Sequence, residues 1–136
     1  MDKYVCYSND VLYIIFKVKW EKNSLTYGFR NFPSNDLSKA EVRREIRKAF
    51  KLWSDVTPLR FTEISTTEGP GQADIRIGFY KRAHLGESSR LAFDGNGGGC
   101  GVLAHAFFPL HPEIVERAGD IHFDDEEHWI ITGNTG

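Results

Sequence analysis

Ser38–Val56 reads SKAEVRREIRKAFKLWSDV, the most regular pattern in the sequence. Ser38 followed by Glu41 is a capping box. The hydroxyl takes an orphan amide of the first helical turn while the carboxylate reaches back to the cap. Val42, Ile46, Ala49, Phe50 and Trp53 then recur at i, i+4, i+7, i+8 and i+11, one apolar stripe of an amphipathic helix. Arg43, Arg44, Arg47, Lys48 and Lys51 lie around the remaining face. Such a face could address nucleic acid or lipid. However, 17 Lys and Arg against 19 Asp and Glu leave the whole chain at −2, which favours a solvated outer face on a core-packed helix.

Upstream of this helix, Ser24–Phe32 carries Leu25, Tyr27, Phe29 and Asn31 on one side and Thr26, Gly28 and Arg30 on the other. That is the period-two pattern of a half-buried strand, and Pro33–Asp36 supplies a turn after it. Downstream, Leu59–Ile64 and Ala73–Tyr80 read as strands, with Ile75, Ile77 and Phe79 alternating with Arg76 and Gly78. Strand, helix and two further strands predict an α/β arrangement with a crossover connection. Val102–Ala104 also looks like a strand. Arg82–Gly101 is loop-like and ends in Gly97, Gly98, Gly99 and Gly101. A long irregular stretch inside one domain needs a reason, and metal coordination is the usual one.

The 136 residues suit one domain, and 40% hydrophobic with 26% charged residues excludes wholesale disorder, collagen and a multi-span membrane protein. Residues 1–18 read as a leader of unclear structure. Their apolar run, Val11–Phe16, is below the roughly seven to fifteen residues of a signal h-region, and no small-residue cleavage site follows, so no signal peptide is visible. The same run is too short to span a bilayer. Cys6 and Cys100 are too few for a disulfide framework and lack metal-ligand spacing to each other. Thr132–Gly136 has loop composition, so the expectation is a natural short form or an incomplete product.

His84, His105 and His122 sit in three segments among Asp74, Asp94, Asp120, Asp124 and further acids. In the run GDIHFDDEE from Gly119, alternation sets Asp120, His122 and Asp124 on one face and turns Ile121 and Phe123 to the core. Oxygen ligands beside a glycine-rich loop suit a hard cation. Imidazoles suit zinc, and three of them with one carboxylate make a closed tetrahedral site. The same histidines could equally be surface or core residues; His111 and His128 match nothing further and read as surface residues. No His-Glu-x-x-His occurs, so no helical zinc-protease motif is present. Nor does a Lys-Ser/Thr follow the glycines, which argues against phosphate binding.

Trp20–Tyr27 (WEKNSLTY), Ala49–Phe61 (AFKLWSDVTPLRF), Gln72–Phe79 (QADIRIGF), Ala92–Gly95 (AFDG), Leu103–Phe107 (LAHAF) and Gly119–Asp124 (GDIHFD) follow one another along the chain. In this order they resemble the matrix metalloproteinase (matrixin, metzincin clan) catalytic domain, over about Lys19 to Trp129. The resemblance implies a zincin-like α/β (α+β) fold: a twisted, mostly parallel five-stranded sheet with the Ser38–Val56 helix packed on it. In this view residues 19–136 form the N-terminal subdomain of a metallopeptidase catalytic domain. By position, His84, His105 and His122 match three of four structural-zinc ligands. The family's fourth, an Asp, falls on Gly86, and Glu87 is the nearest candidate. Asp94, Asp124 and Glu127 match the side-chain ligands of one calcium site, and Asp74 and Asp120 those of a second. Leu103 and Ala104 match the edge strand that pairs with a peptide substrate.

The resemblance implies a zinc-dependent endopeptidase acting on extracellular and extracellular-matrix proteins, with zinc and calcium as cofactors and an extended peptide or protein as substrate. In the family the catalytic zinc is held by a helical histidine motif whose Glu is the general base, and that motif follows the Trp129 position. The expectation is therefore an incomplete domain, truncated before the catalytic helix, with no catalytic residues of its own and no endopeptidase activity. The alternative is a non-catalytic remnant that binds structural zinc and calcium and keeps a peptide-binding edge strand. Cys6 only faintly resembles the family's cysteine switch. Nucleic acid is not an expected partner.

Overall fold

The structure, a computed structural model, describes residues 19–65, 67, 72–84, 92–95, 101–109 and 117–131. Among these residues six elements form: β1 (Ser24–Phe29), α1 (Lys39–Val56), β2 (Arg60–Glu63), β3 (Ile75–Tyr80), β4 (Ala104–Ala106) and β5 (Ile121–Asp124). The strands make one sheet in the order β2-β1-β3-β5-β4, parallel throughout except where β4 runs antiparallel to β5. This is the α/β, mostly parallel five-stranded sheet with one helix that the sequence leads one to expect. The leader at 1–18, Cys6, Cys100, Glu87 and His111 lie outside the described residues.

α1 begins where the capping box puts it. The Glu41 amide donates to Ser38 Oγ at 3.2 Å, and the Ser38 amide donates to Glu41 Oε2 at 2.9 Å. Hydrogen bonds from the Ser38 side chain and backbone hold the Glu41 carboxyl below the usual carboxylate range. Val42 is buried, and Ile46 and Phe50 pack against the sheet core of Leu25, Tyr27, Ile75 and Ile77. Phe50 stacks on Phe61 at 4.4 Å between ring centroids and tilts onto Tyr27 at 4.6 Å. It is the last stripe residue to reach the sheet. Ala49 and Trp53, expected in the same stripe, are exposed, and so are Leu52 and Val56.

The basic face of α1 is laced with acids. Arg43 and Arg47 both pair with Glu63 of β2, Arg44 and Lys48 with Glu45, and Lys51 with Asp55. The Glu63 pairs lash the helix to the strand beneath it. Burial, with the Glu63 carboxylate close by, pushes the Tyr27 hydroxyl above its ordinary pKa.

The sheet therefore has two unlike faces. Leu25, Tyr27, Ile75, Ile77, Ile121 and Phe123 build the apolar core against α1. Between them along β3 and β5 stand Arg76, Gly78, His122 and Asp124, with Asp120 just before β5. Arg76 and the three acidic and imidazole residues are all buried. The alternation expected for Asp120, His122 and Asp124 is observed, but their shared face is closed off from solvent.

Candidate metal centre

Strand β5, next to the edge of the sheet, carries His122, and the register sets it between His105 of β4 and Gly78 of β3. His84 arrives from the segment that follows β3. His84 Nε2 and His105 Nε2 each lie 3.0 Å from His122 Nδ1. The three ligand nitrogens fall within 4.8 Å of one another, and among the described residues this is the one group of three able to hold a metal ion.

The trio fits zinc. Nitrogens at about 2.0–2.1 Å from a tetrahedral ion stand about 3.3 Å apart, close to the two spacings to His122. The Nδ1–H of His84 donates to the Arg82 carbonyl at 2.7 Å. A carbonyl only accepts, so the proton sits on Nδ1 and the Nε2 lone pair is left for a metal, the tautomer control that ligating histidines need.

Aromatic rings hold the imidazoles in place. Tyr80 stacks on His84 at 4.7 Å and meets His122 edge-on at 4.8 Å. Phe93 stacks on both His84 and His105, at 4.9 and 4.7 Å, and Phe107 closes on His105 and His122. Any side chain at Gly78 would collide with the Tyr80 ring, so glycine there lets Tyr80 fold back over the sheet. These supports were not singled out from the sequence. The signal was present in Ala92–Phe93–Asp94 and His105–Ala106–Phe107, where a phenylalanine adjoins or nearly adjoins a candidate ligand.

The candidate oxygen ligands are arranged differently. Asp124 is buried, its Oδ2 accepting from the Gly95 amide at 3.2 Å and its Oδ1 from the Glu126 amide at 2.9 Å. Asp94 is exposed and accepts from the Val102 amide at 2.9 Å, while Glu127 is half-buried on the turn after Asp124. These three share one neighbourhood, linked through Gly95 and the 124–127 turn, without the convergence of the imidazoles. His128, on the same turn, is exposed.

Asp74 and Asp120 each face cations of the chain itself. Asp74 accepts from the Thr26 amide and hydroxyl at 2.8 and 2.9 Å and pairs with Lys22 at 2.7 Å. Burial pushes its carboxyl up, but the Lys22 and Thr26 hydrogen bonds outweigh that and hold it below the usual range. Asp120 takes Arg76 Nε at 2.5 Å, with Arg30 at 3.8 Å. Arg76, a cation inside the apolar run Ile75–Tyr80, was the sequence signal for that buried pair.

β4, Ala104–Ala106, lies at the sheet edge; Ala104 is in it and Leu103 immediately precedes it. The Asp124 amide donates to the Leu103 carbonyl and the Phe107 amide donates to the Asp120 carbonyl, both at 2.9 Å. Residues 103, 105 and 107 thus address β5, and alternation turns the backbone groups of Ala104 and Ala106 outward. Ala106 extends the expected edge, and the Leu103 side chain is exposed.

A mostly parallel sheet with an antiparallel edge strand, carrying three histidines able to hold a metal ion on the face opposite its helix, defines a class of α/β protein. The chain belongs to the matrixin family, whose model matches residues 19–135. It is 47% identical to stromelysin-3 of Xenopus laevis over 118 residues, 87% of this chain and 22% of that protein. It is 49% identical to neutrophil collagenase of Homo sapiens over 114 residues, covering 84% and 21% respectively. To matrix metalloproteinase-23 of Homo sapiens it is 42% identical over 118 residues, 85% of this chain and 27% of the relative. The chain thus spans about a quarter or less of each of these relatives.

Proposed function

We propose that these residues form the metal-loaded sheet of a matrixin-type zinc endopeptidase acting on extracellular proteins. His84, His105 and His122 hold a structural zinc, which ties the segment after β3 to β4 and β5, and Glu87 is the nearest candidate for its fourth ligand. Asp94, Asp124 and Glu127 serve one calcium and Asp74 and Asp120 a second. The observation that carries this reading is the convergence of three imidazole nitrogens on one point of the buried sheet face.

The chemistry of peptide hydrolysis, water attack on a polarised carbonyl with a general base, needs a second metal site and a carboxylate base. The 136 residues contain no His-Glu-x-x-His to supply them. Their contribution is to position: the outward backbone of Ala104 and Ala106 takes an extended peptide by strand addition, beside the exposed Leu103 side chain. The relatives named as stromelysin and collagenase support a protein substrate and an extracellular setting. Among the described residues no helix is long and apolar enough to cross a membrane. Nucleic acid is not a proposed partner, since the α1 cations are matched by neighbouring acids.

Native mass spectrometry tests the reading. About one zinc per chain is expected, lost in His122→Ala. A folded, wholly metal-free parent chain would refute it. The isolated 136-residue chain is also expected to leave a peptide library uncut, and chelator-sensitive cleavage would contradict that.

A further inference from the structure

Arg82 is the one non-glycine residue with a positive φ among the described residues, at 51°. That left-handed backbone is uncommon for a long side chain and points to a position held by its surroundings. Two features account for it. The Arg82 carbonyl is turned to accept both the His84 Nδ1–H at 2.7 Å and the Phe93 amide at 3.2 Å. The same backbone sends the guanidinium the other way, onto the acidic turn. There Nε pairs with Glu126 Oε2 at 2.7 Å, Nη2 reaches Oε1 at 3.3 Å, and Nη1 donates to the Asp94 carbonyl.

The planar guanidinium thus holds Glu126 by one hydrogen bond and one ion-pair contact while donating to the Asp94 carbonyl, and reaching both partners at once fixes orientation as well as charge, which an ammonium could not do. Room for it comes from Gly95, at φ 76°, where a Cβ would collide with the guanidinium and lie 2.8 Å from Glu126 Oε2. One residue therefore joins three segments: the His84 segment, the Phe93–Gly95 segment and the turn after β5. It also fixes the tautomer of one imidazole and, through Phe93, the stacking of two.

We propose that Arg82 is the positioning residue of the histidine centre, its guanidinium anchoring the backbone carbonyl that orients His84 toward the metal. It touches neither metal nor substrate and acts through His84 and Phe93. The proposal rests on the zinc reading above. A parent chain that bound no zinc would defeat that reading first, whereas the comparison of variants bears on Arg82 alone.

Arg82→Gly keeps the left-handed backbone and removes the guanidinium, while Arg82→Lys keeps the charge and loses the planar group that reaches both Glu126 and the Asp94 carbonyl. Zinc affinity of the full chain is measured by competition with a chromophoric chelator. Both variants are expected to bind zinc about tenfold or more weakly, the size of effect that loss of a ligand's supporting partner produces, with lysine failing to rescue. In the zinc-loaded variants the ring ¹⁵N resonances of His84 are expected to shift most and those of His105, stacked on Phe93, less, while those of His122 stay. Parent-like affinity in both variants, or recovery by lysine, overturns the proposal. So does an equal shift of all three histidines, which marks general loosening.

Discussion

The two faces of the sheet are built from the same strands by different physics. On the helix side, Leu25, Tyr27, Ile75 and Ile77 are buried with Ile46, Phe50 and Phe61, and non-directional burial does the work. On the opposite side, Arg76, Asp120, His122 and Asp124 are just as buried, yet each needs a particular partner at a particular distance. The first face tolerates any well-shaped apolar residue. The second tolerates almost none, because a buried charge or imidazole without its partner keeps the cost of leaving water.

Substitutions on each face should separate these regimes. The largest stability effect is expected on the polar side, where Asp120→Ala strips the buried Arg76 guanidinium of its carboxylate. A loss of about 3–5 kcal/mol is expected in urea denaturation; an effect below that of a surface substitution would mean that Arg76 is solvated. On the apolar side, Ile77→Ala at a fully buried position should cost about 2–4 kcal/mol while zinc stoichiometry stays at that of the parent. Loss of zinc in that variant would show that the two faces are not separable.

Smaller effects belong to the helix entry. Ser38→Ala should cost about 1 kcal/mol by the same measurement, as removal of an N-cap does. The smallest is a pH effect. Ser38 lowers the Glu41 pKa in the folded state, so this contribution is complete above the ordinary Glu value of about 4.3 and is lost as pH falls through the lowered one. The stability difference between parent and Ser38→Ala should therefore shrink on acidification. A pH-independent difference would remove Glu41 from the account.

The apolar face was readable because period two and period 3.6 are written directly into Ser24–Phe29, Ile75–Tyr80 and α1. What periodicity missed was where the helix runs beyond the sheet, since Trp53 has the spacing of Phe50 but nothing beneath it among the described residues. On the polar face the ligand-type residues could be found by chemistry and resemblance, and three histidines in separate segments do meet. Their supports left signals, Phe93 and Phe107 near the ligands and Arg76 in an apolar run, but the contacts they make were not legible. Arg82 acts through a backbone angle, Phe93 through ring stacking, and Asp120 through a strand arginine, all contacts between segments distant in sequence. The outward register of Ala104 and Ala106 likewise depends on which β5 amide takes the Leu103 carbonyl.

Under the proposed zinc reading, a metal holds the polar face and not the apolar one. Hydrogen exchange of the chain with zinc bound and after chelation tests it most directly. On chelation, protection should fall in residues 82–84 and 101–107 and persist in Lys39–Val56 and in β1. Equal loss across both faces, or no change in either, would contradict the account.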